Sequence, residues 1–486
     1  MKYLILIAGL AFAAIGCQTA TAEEQTETPA PPSKYEPTDS SLATHPLPDW
    51  YQDGKLGIFV CWGLYSLPAW AKGPGKPLEE ILAEGDGTEW FTNNPYAEWY
   101  LNSLKIDGSA TAAHHAATYG EGFSYYDFVP QFNEASKNWQ PDEMAELFKE
   151  VGAAYVVLVS KFHDGFILWP SEHPNPFGKD FIAERDIVGE LSSAVKERGM
   201  EMGLYYSSGL DWTFNDKTIV NFPDLFTAIP QDTNYVKYID AHWRELIDRY
   251  QPKILWADIG SPQAYDPRPL IADFYNQDEE GVVNNRHKMA MGADGFMSPV
   301  HHDFSTPEYQ VLDTISDKKW ETVRGIGLSF GYNQVEAADK LLSVDELVDM
   351  FIDIVSKNGN LLLNVGPKAD GSISEGQLER LKGLGQWHQA HREAIYGSRP
   401  WKTAQAETQN GERVRFTQKD GQVYLFLLDQ PTGKEIIIDG LPLESAQQIQ
   451  AVSDATVSGL QFENGQLRFE ATLNGEQPAY VFKIQP

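Results

Sequence analysis

Between residues 57 and 367 the chain repeats one pattern. Short apolar runs recur: GIFVCWG (57–63), AAYVVLVS (153–160), MEMGLYYS (200–207), KILWADI (253–259), GVVNNR (281–286), GIGLSFG (325–331) and GNLLLNVGP (359–367). Between them lie amphipathic stretches such as PDEMAELFKEVG (141–152) and DIVGELSSAVKERG (186–199), with apolar residues every three or four positions and a closing glycine. Apolar runs without alternation suit strands buried on both faces, and strands joined by helices are parallel. The pattern predicts an α/β fold, a (β/α)8 barrel of the TIM type, over residues 47–397. A doubly wound sheet is the competing topology, but neither GxGxxG nor a P-loop follows the first run. After REAIYGSRPW (392–401) the period drops to two. RVRFTQ, QVYLFLLD, KEIIIDG, LRFEATL and AYVFKIQ alternate apolar and polar residues between DG, TG and NG turns, which predicts a C-terminal antiparallel β-sandwich over 398–486.

The N-terminal end breaks this pattern. MKYLILIAGLAFAAIGC has one lysine and an apolar stretch too short to span a bilayer, the proportions of a secretory signal over residues 1–17. Ala14, Ile15, Gly16 and Cys17 resemble a bacterial lipobox, so Cys17 is the expected lipidation site. The expected location is periplasmic or outer-membrane-anchored, and Gln18 after Cys17 favours the outer membrane. Residues 18–46, rich in Thr, Glu, Pro and Ser, are expected to be a disordered tether. The chain has two cysteines, so lipidation of Cys17 leaves Cys61 without a disulfide partner.

Composition narrows the ligand class. Lys and Arg total 38 against 69 Asp and Glu, a net charge of -31, which repels a phosphate backbone and excludes nucleic acid as a partner. Aromatics reach 12 %, with 13 Trp and 22 Tyr, and such rings suit flat-faced ligands such as sugars.

In a barrel the chemistry sits where strands end. KILWADIG ends at Asp258, a carboxylate costly to bury without a task or a partner. SKFHDGFILWP (160–170) holds Lys161, His163, Asp164 and Trp169, with Asp164 read as a brace for His163 and its loop. HHDFSTPEYQ (301–310) holds His301, His302, Asp303 and Glu308. Adjacent histidines on a strand point to opposite faces, so no metal site is expected. Two carboxylates from different strand ends are what glycoside hydrolysis requires. Trp62, Trp70, Trp90, Trp99, Trp169, Trp256 and Trp320 near strand ends or in loops suit a saccharide pocket.

With these residues in view, the chain resembles the retaining α-L-fucosidases of glycoside hydrolase family 29. EWFTNNPYAEWYLNSL, WPSEH, RDIVGEL, GLYYSSGLDW, HHDFSTPEY, KWETVRGIGLSFGYN, LLLNVGPKADGSI and AIYGSRPW match that family's blocks in its order. The resemblance implies a barrel followed by a β-sandwich, no metal or organic cofactor, and an exo-acting enzyme on a saccharide. It implies Asp258 as nucleophile and Glu308 as acid/base, with Glu98 and Glu321 as alternative acids. It also implies sugar contacts from Trp90, Tyr96, Glu98, Trp99, His163, Trp256 and Arg286, with Trp62 beside them. Two positions depart from the family. Its first strand usually ends Ile-His-Trp-Gly and its second Lys-His-His-Asp-Gly; here they end Val60-Cys61-Trp62-Gly63 and Lys161-Phe162-His163-Asp164-Gly165. Cys61 and Phe162 are therefore expected to be altered specificity contacts. The expected substrate is a terminal α-linked L-fucose or a fucose-like sugar such as the L-galactose of algal galactans. The reading outside catalysis is a sugar-capturing surface lipoprotein.

Overall fold

The computed structural model describes residues 33–486 apart from 74, 76–79, 82–84, 86, 179–180 and 293–294. The signal segment, Cys17 and residues 18–32 of the expected tether lie outside the described residues.

Strands β1 (Leu56–Val60), β2 (Tyr155–Lys161), β3 (Glu201–Ser207), β4 (Ile254–Asp258) and β5 (Val282–Val283) are followed by a two-stranded hairpin, β6 (Ala290–Gly292) and β7 (Gly295–Met297), and then by β8 (Trp320–Gly325) and β9 (Gly359–Val365). Seven of them form one parallel sheet in the order β5-β4-β3-β2-β1-β9-β8. Its two edges meet through an extended segment around residues 303–309. Asn284 bridges Phe304 on one side, and Ser305 and Glu308 bridge Trp320 and Val323 on the other, all parallel. This segment is the eighth stave and closes the sheet into a barrel, which settles the competition with an open doubly wound sheet.

The helices behave as their pattern predicts. Pro141–Val151 starts on a proline, buries Met144, Ala145, Phe148 and Val151 against the sheet, and stops at Gly152, whose φ of 89° favours glycine. Ile187–Glu197 starts under the Asp186 side chain, which accepts from Gly189 N.

Three sequence expectations shift. The run 325–331 is loop, and the strand lies before it at Trp320–Gly325, where Glu321 and Thr322 are fully buried. The run 281–286 shrinks to two paired residues. The folded chain also begins well before residue 47. Tyr35 is 1 % exposed, its ring meets His45 and Tyr275 edge-on, and its N–H donates to Asn276 Oδ1 at 2.9 Å. Leu42 is buried and His45 stacks on Tyr275 at 3.8 Å. A few docking groups suffice to order a segment whose average composition is that of a tether.

From Arg399 onward two antiparallel sheets pack together. Five strands, β10 (Arg399–Glu407), β11 (Arg413–Lys419), β12 (Gln422–Leu427), β14 (Gln448–Ala451) and β17 (Tyr480–Gln485), face three, β13 (Glu435–Ile438), β15 (Ala455–Glu463) and β16 (Gln466–Leu473). Trp401, Phe416, Leu425, Phe469 and Phe482 fill the space between them.

Candidate active site

Asp258 is the last residue of β4, and the backbone turns sharply after it. Ile259 has φ 56°, a strained conformation for a β-branched residue, followed by Gly260 at 72°. The turn aims the Ile259 N–H at Asp258 Oδ1, 2.9 Å away. Arg286 Nη1 also donates to Oδ1 at 2.9 Å, and the Tyr205 hydroxyl donates to Oδ2 at 2.9 Å. The nucleophile candidate is thus held by three donors from three strand ends.

Glu308 lies on the closing stave, and Tyr309 after it again has positive φ, 55°. Its Oε1 accepts from the Tyr96 hydroxyl at 3.0 Å, and its Oε2 lies 3.4 Å from both Nη1 and Nη2 of Arg286. Asp258 Oδ1 and Glu308 Oε2 therefore share the nitrogen Nη1, at 2.9 and 3.4 Å. These two oxygens cannot lie further apart than those two distances laid end to end, close enough for both carboxylates to act on one glycosidic bond. The two differ in access, because the Glu308 side chain is 35 % exposed and that of Asp258 11 %. The inner carboxylate is protected and the outer one can exchange protons with solvent.

Arg286 enters because VVNNR ends β5 beside β4. The Asn284 side-chain amide pairs with both the N–H and C=O of Ala257, and Arg286 Nε and Nη2 donate to the Thr306 hydroxyl and carbonyl. Burial alone would lower the Arg286 pKa, but Asp258 and Glu308 more than reverse it. The guanidinium rests on the Trp256 ring, 4.8 Å from its centroid. Trp256 is itself buried, and its N–H donates inward to Glu321 at 3.0 Å. Trp256 supports Arg286 from beneath.

A second group lies alongside. Cys61 Sγ and the Tyr65 hydroxyl are 3.2 Å apart, Phe162 meets the Tyr65 ring edge-on at 5.5 Å, and Phe162 stacks on His163 at 3.9 Å. His163 Nδ1 lies 2.6 Å from Ser207 Oγ, and its ring meets Trp99 and Trp212 edge-on. Burial drives the His163 pKa down to about 3, so the imidazole is neutral, and burial pushes the Cys61 thiol far above its usual range. Tyr205 joins the groups: its ring stacks near Phe162 at 6.2 Å while its hydroxyl holds Asp258. Trp90, half-buried, meets Tyr96 edge-on at 5.6 Å.

Other expected residues fall elsewhere. Trp62 follows Cys61 and so points the other way, into Phe132 and Trp139 on the helix side. Trp169 donates to Glu245, Trp320 to the Lys357 carbonyl, and Trp70 stacks on His114, so they brace the scaffold or its loops. Glu321 is fully buried and accepts from the hydroxyls of Tyr51 and Tyr155 and from Trp256, away from Arg286 and Glu308. Glu98 is nearer the chemistry. Its Oε2 accepts from Gly331 N at 2.8 Å, and burial holds its carboxyl up to about 8. Asp164 accepts from Tyr125 and Phe166 N, as a brace would. Asp303 ties together His45, Tyr275 and Val283 N. Tyr205, Tyr65 and Thr306 were not anticipated. The signal available for the tyrosines is that a buried hydroxyl needs a partner.

A cation-bridged pair of carboxylates at the C-terminal mouth of a parallel barrel defines a glycosidase-type site. Comparison with known proteins places it further. The family model described as "Alpha-L-fucosidase" matches residues 21–393. The tissue alpha-L-fucosidase of Rattus norvegicus is 32 % identical over 428 residues, 86 % of this chain and 84 % of that one. The alpha-L-fucosidase of Dictyostelium discoideum is 32 % identical over 448 residues, covering 89 % and 87 %. Among solved structures, the Thermotoga maritima alpha-fucosidase in complex with a mechanism-based inhibitor is 39 % identical, with a TM-score of 0.82 over 93 % of this chain and all of that one. The chain belongs to the alpha-L-fucosidase family and is a glycoside hydrolase.

Proposed function

We propose that the protein is an exo-acting, retaining glycosidase that removes a terminal α-linked L-fucose or fucose-like sugar from oligo- or polysaccharides. The carrying observation is that Arg286 holds Asp258 and Glu308 together at the mouth. Asp258 attacks the anomeric carbon while Glu308 donates its proton to the leaving oxygen, giving a glycosyl-enzyme. Glu308 then takes a proton from water as that water displaces Asp258 with a second inversion. Arg286 offsets the repulsion between two carboxylates at this range and orients the attacking oxygen. The similarity to alpha-L-fucosidases supports the fucose configuration.

A second reading is supported by Cys61 and Phe162. Both side chains are weak or incapable hydrogen-bond partners, and the thiol already contacts Tyr65. A hydroxyl desolvated against this wall costs on the order of 1 to 3 kcal/mol. A sugar with an added group, such as α-L-galactose or a derivative carrying a substituent, gains from the apolar wall or from the room that the small Cys61 side chain leaves. Product release from a panel of α-L-fucosides, α-L-galactosides and substituted algal oligosaccharides decides between them, and release from none supports a sugar-capturing protein. In the companion test, Cys61→His with Phe162→His should raise kcat/KM on an aryl α-L-fucoside relative to the galactoside by about 10- to 100-fold per restored contact. No relative shift would remove these positions from specificity.

We further propose export with lipidation at Cys17, supported by the lipobox-like sequence. Radiolabelled palmitate incorporation, lost in Cys17→Ala, tests it.

A further inference from the structure

His163 and Ser207 stand at neighbouring strand ends and share one short hydrogen bond. Ser207 is the last residue of β3, and His163 follows the end of β2. The separation between His163 Nδ1 and Ser207 Oγ is 2.6 Å. A serine hydroxyl carries a single proton, and Ser207 donates it to the Leu210 carbonyl at 2.8 Å, a group that can only accept. Towards His163 the hydroxyl therefore offers lone pairs alone, and Nδ1 must supply the hydrogen of the shared bond. Burial keeps the imidazole neutral at ordinary pH, so the ring has one proton to place. With that proton on Nδ1, Nε2 is a bare acceptor.

The ring has little freedom to be anything else. Phe162 stacks on it at 3.9 Å, Trp99 and Trp212 meet it edge-on at 5.4 and 5.5 Å, and the residue is 1 % exposed. Nε2 has no hydrogen-bond partner among the described residues, yet it is not sealed from solvent. The backbone beside it is clamped as well. Trp212 N donates to the His163 carbonyl at 2.7 Å, and the fully buried side chains of Lys161 and Asp211 pair at 2.8 Å. Ser207 lies in register with Asp258, and Gly209 N donates to the Asp258 carbonyl at 3.1 Å. One turn, residues 207–212, thus fixes the histidine and is sewn to the strand end that carries the nucleophile.

We propose that Ser207 is a positioning residue that holds His163 as the Nδ1–H tautomer, so that Nε2 accepts from one hydroxyl of the bound sugar and demands a donor at that position. The proposal rests on the glycosidase assignment of this mouth. A free hydroxyl satisfies Nε2. The same oxygen carrying a sulfate, methyl or acetyl group has no hydrogen to give, and it sets lone pairs against a lone pair. His163 therefore requires an unsubstituted hydroxyl opposite it, whichever sugar the wall of Cys61 and Phe162 admits.

The test is nuclear magnetic resonance of the full-length protein carrying isotopically nitrogen-labelled histidine, the His163 signals being those missing from His163→Gln. The free wild type should show a protonated Nδ1 and an unprotonated Nε2. Saturating L-fucose should shift Nε2 towards the protonated range and leave Nδ1 in place. Ser207→Ala should move proton population onto Nε2 and raise KM for an aryl α-L-fucoside by about 10-fold, with a smaller change in kcat. Ser207→Thr, which restores the hydroxyl, should return both towards the wild type. A proton on Nε2 in the free wild type, or an unchanged nitrogen pair in Ser207→Ala, would overturn the proposal. So would an Nε2 signal that L-fucose leaves unmoved in a protein that cleaves the aryl fucoside. The first two results are read without substrate, whereas the fucosidase assignment stands or falls on turnover of the fucoside, so the two can fail separately.

Discussion

Asp258 and Glu321 are both buried carboxylates of one barrel, yet they are surrounded in opposite ways. Asp258 ends its strand, faces a guanidinium shared with a second carboxylate, and borders a mouth that reaches solvent through Glu308. Glu321 lies inside its stave, wrapped by two phenols and an indole, with no exposed surface. Buried charge is tolerable in both, but only at the mouth does an approaching sugar find an oxygen free to react. Distance along the strand separates a reacting carboxylate from a structural one.

The largest effect expected from breaking this contrast is at Asp258. Asp258→Asn keeps the fold, because the amide oxygen can still accept from Arg286, and turnover should fall by about four orders of magnitude or more. Steady-state rates with matched circular dichroism check it; near-normal turnover would move the nucleophile elsewhere.

Glu308→Gln comes next. Loss of general acid help should cost about 10²- to 10⁴-fold on natural glycosides and much less on nitrophenyl glycosides, whose leaving group needs no proton. Equal losses on both substrate types would assign Glu308 to binding. If Glu98→Gln instead shows the leaving-group dependence, the acid role passes to Glu98.

Glu321→Gln should act on the scaffold alone. The unfolding free energy should drop by about 1 to 3 kcal/mol as the donors of Tyr51 and Tyr155 lose their acceptor. Chemical denaturation measures this, while kcat/KM of the folded fraction should stay within about twofold. A large kinetic loss without destabilisation would sink the assignment.

The remaining effect is a pH dependence, spread over several pH units. The native Glu98 carboxyl holds its proton up to about 8, while its ordinary value is 4.5. The native state therefore binds more protons than the unfolded chain between those values, and stability from this group is lost as pH rises through that window. Glu98→Gln, neutral throughout, should flatten the decline of Tm from about pH 5 to pH 8. An unchanged slope would show that Glu98 is not the proton-holding group.

The legible part of the molecule was its first four staves, the last stave β9 and its sandwich. AAYVVLVS, MEMGLYYS and KILWADI are strands because apolar runs this short, rich in β-branched and aromatic residues and flanked by helical patterns, are buried on both faces of a parallel sheet, and Asp258 stands out as the charge that ends one of them. The barrel between β5 and β9 was illegible as pattern. β8 carries Glu321, Thr322 and Arg324, and the closing stave around Phe304 and Glu308 has single bridges in place of a ladder. Their polar groups find partners inside the barrel, so apolar periodicity carries no trace of them. The tryptophans misled for a related reason: composition counts rings, but the period of two sends Cys61 inward and Trp62 outward.

What the sequence determined by itself was whatever depends on neighbours along the chain: helix starts and stops, apolar strands, the change of period at the sandwich, and the carboxylates that end staves. Tertiary structure alone decided which distant groups meet. Arg286 between Asp258 and Glu308, Tyr205 on Asp258, Trp256 beneath the guanidinium and Tyr96 on Glu308 join residues up to hundreds of positions apart. Those meetings are set by barrel closure, which brings eight separate strand ends to a common rim, and nothing in the local order of residues encodes the width of that ring.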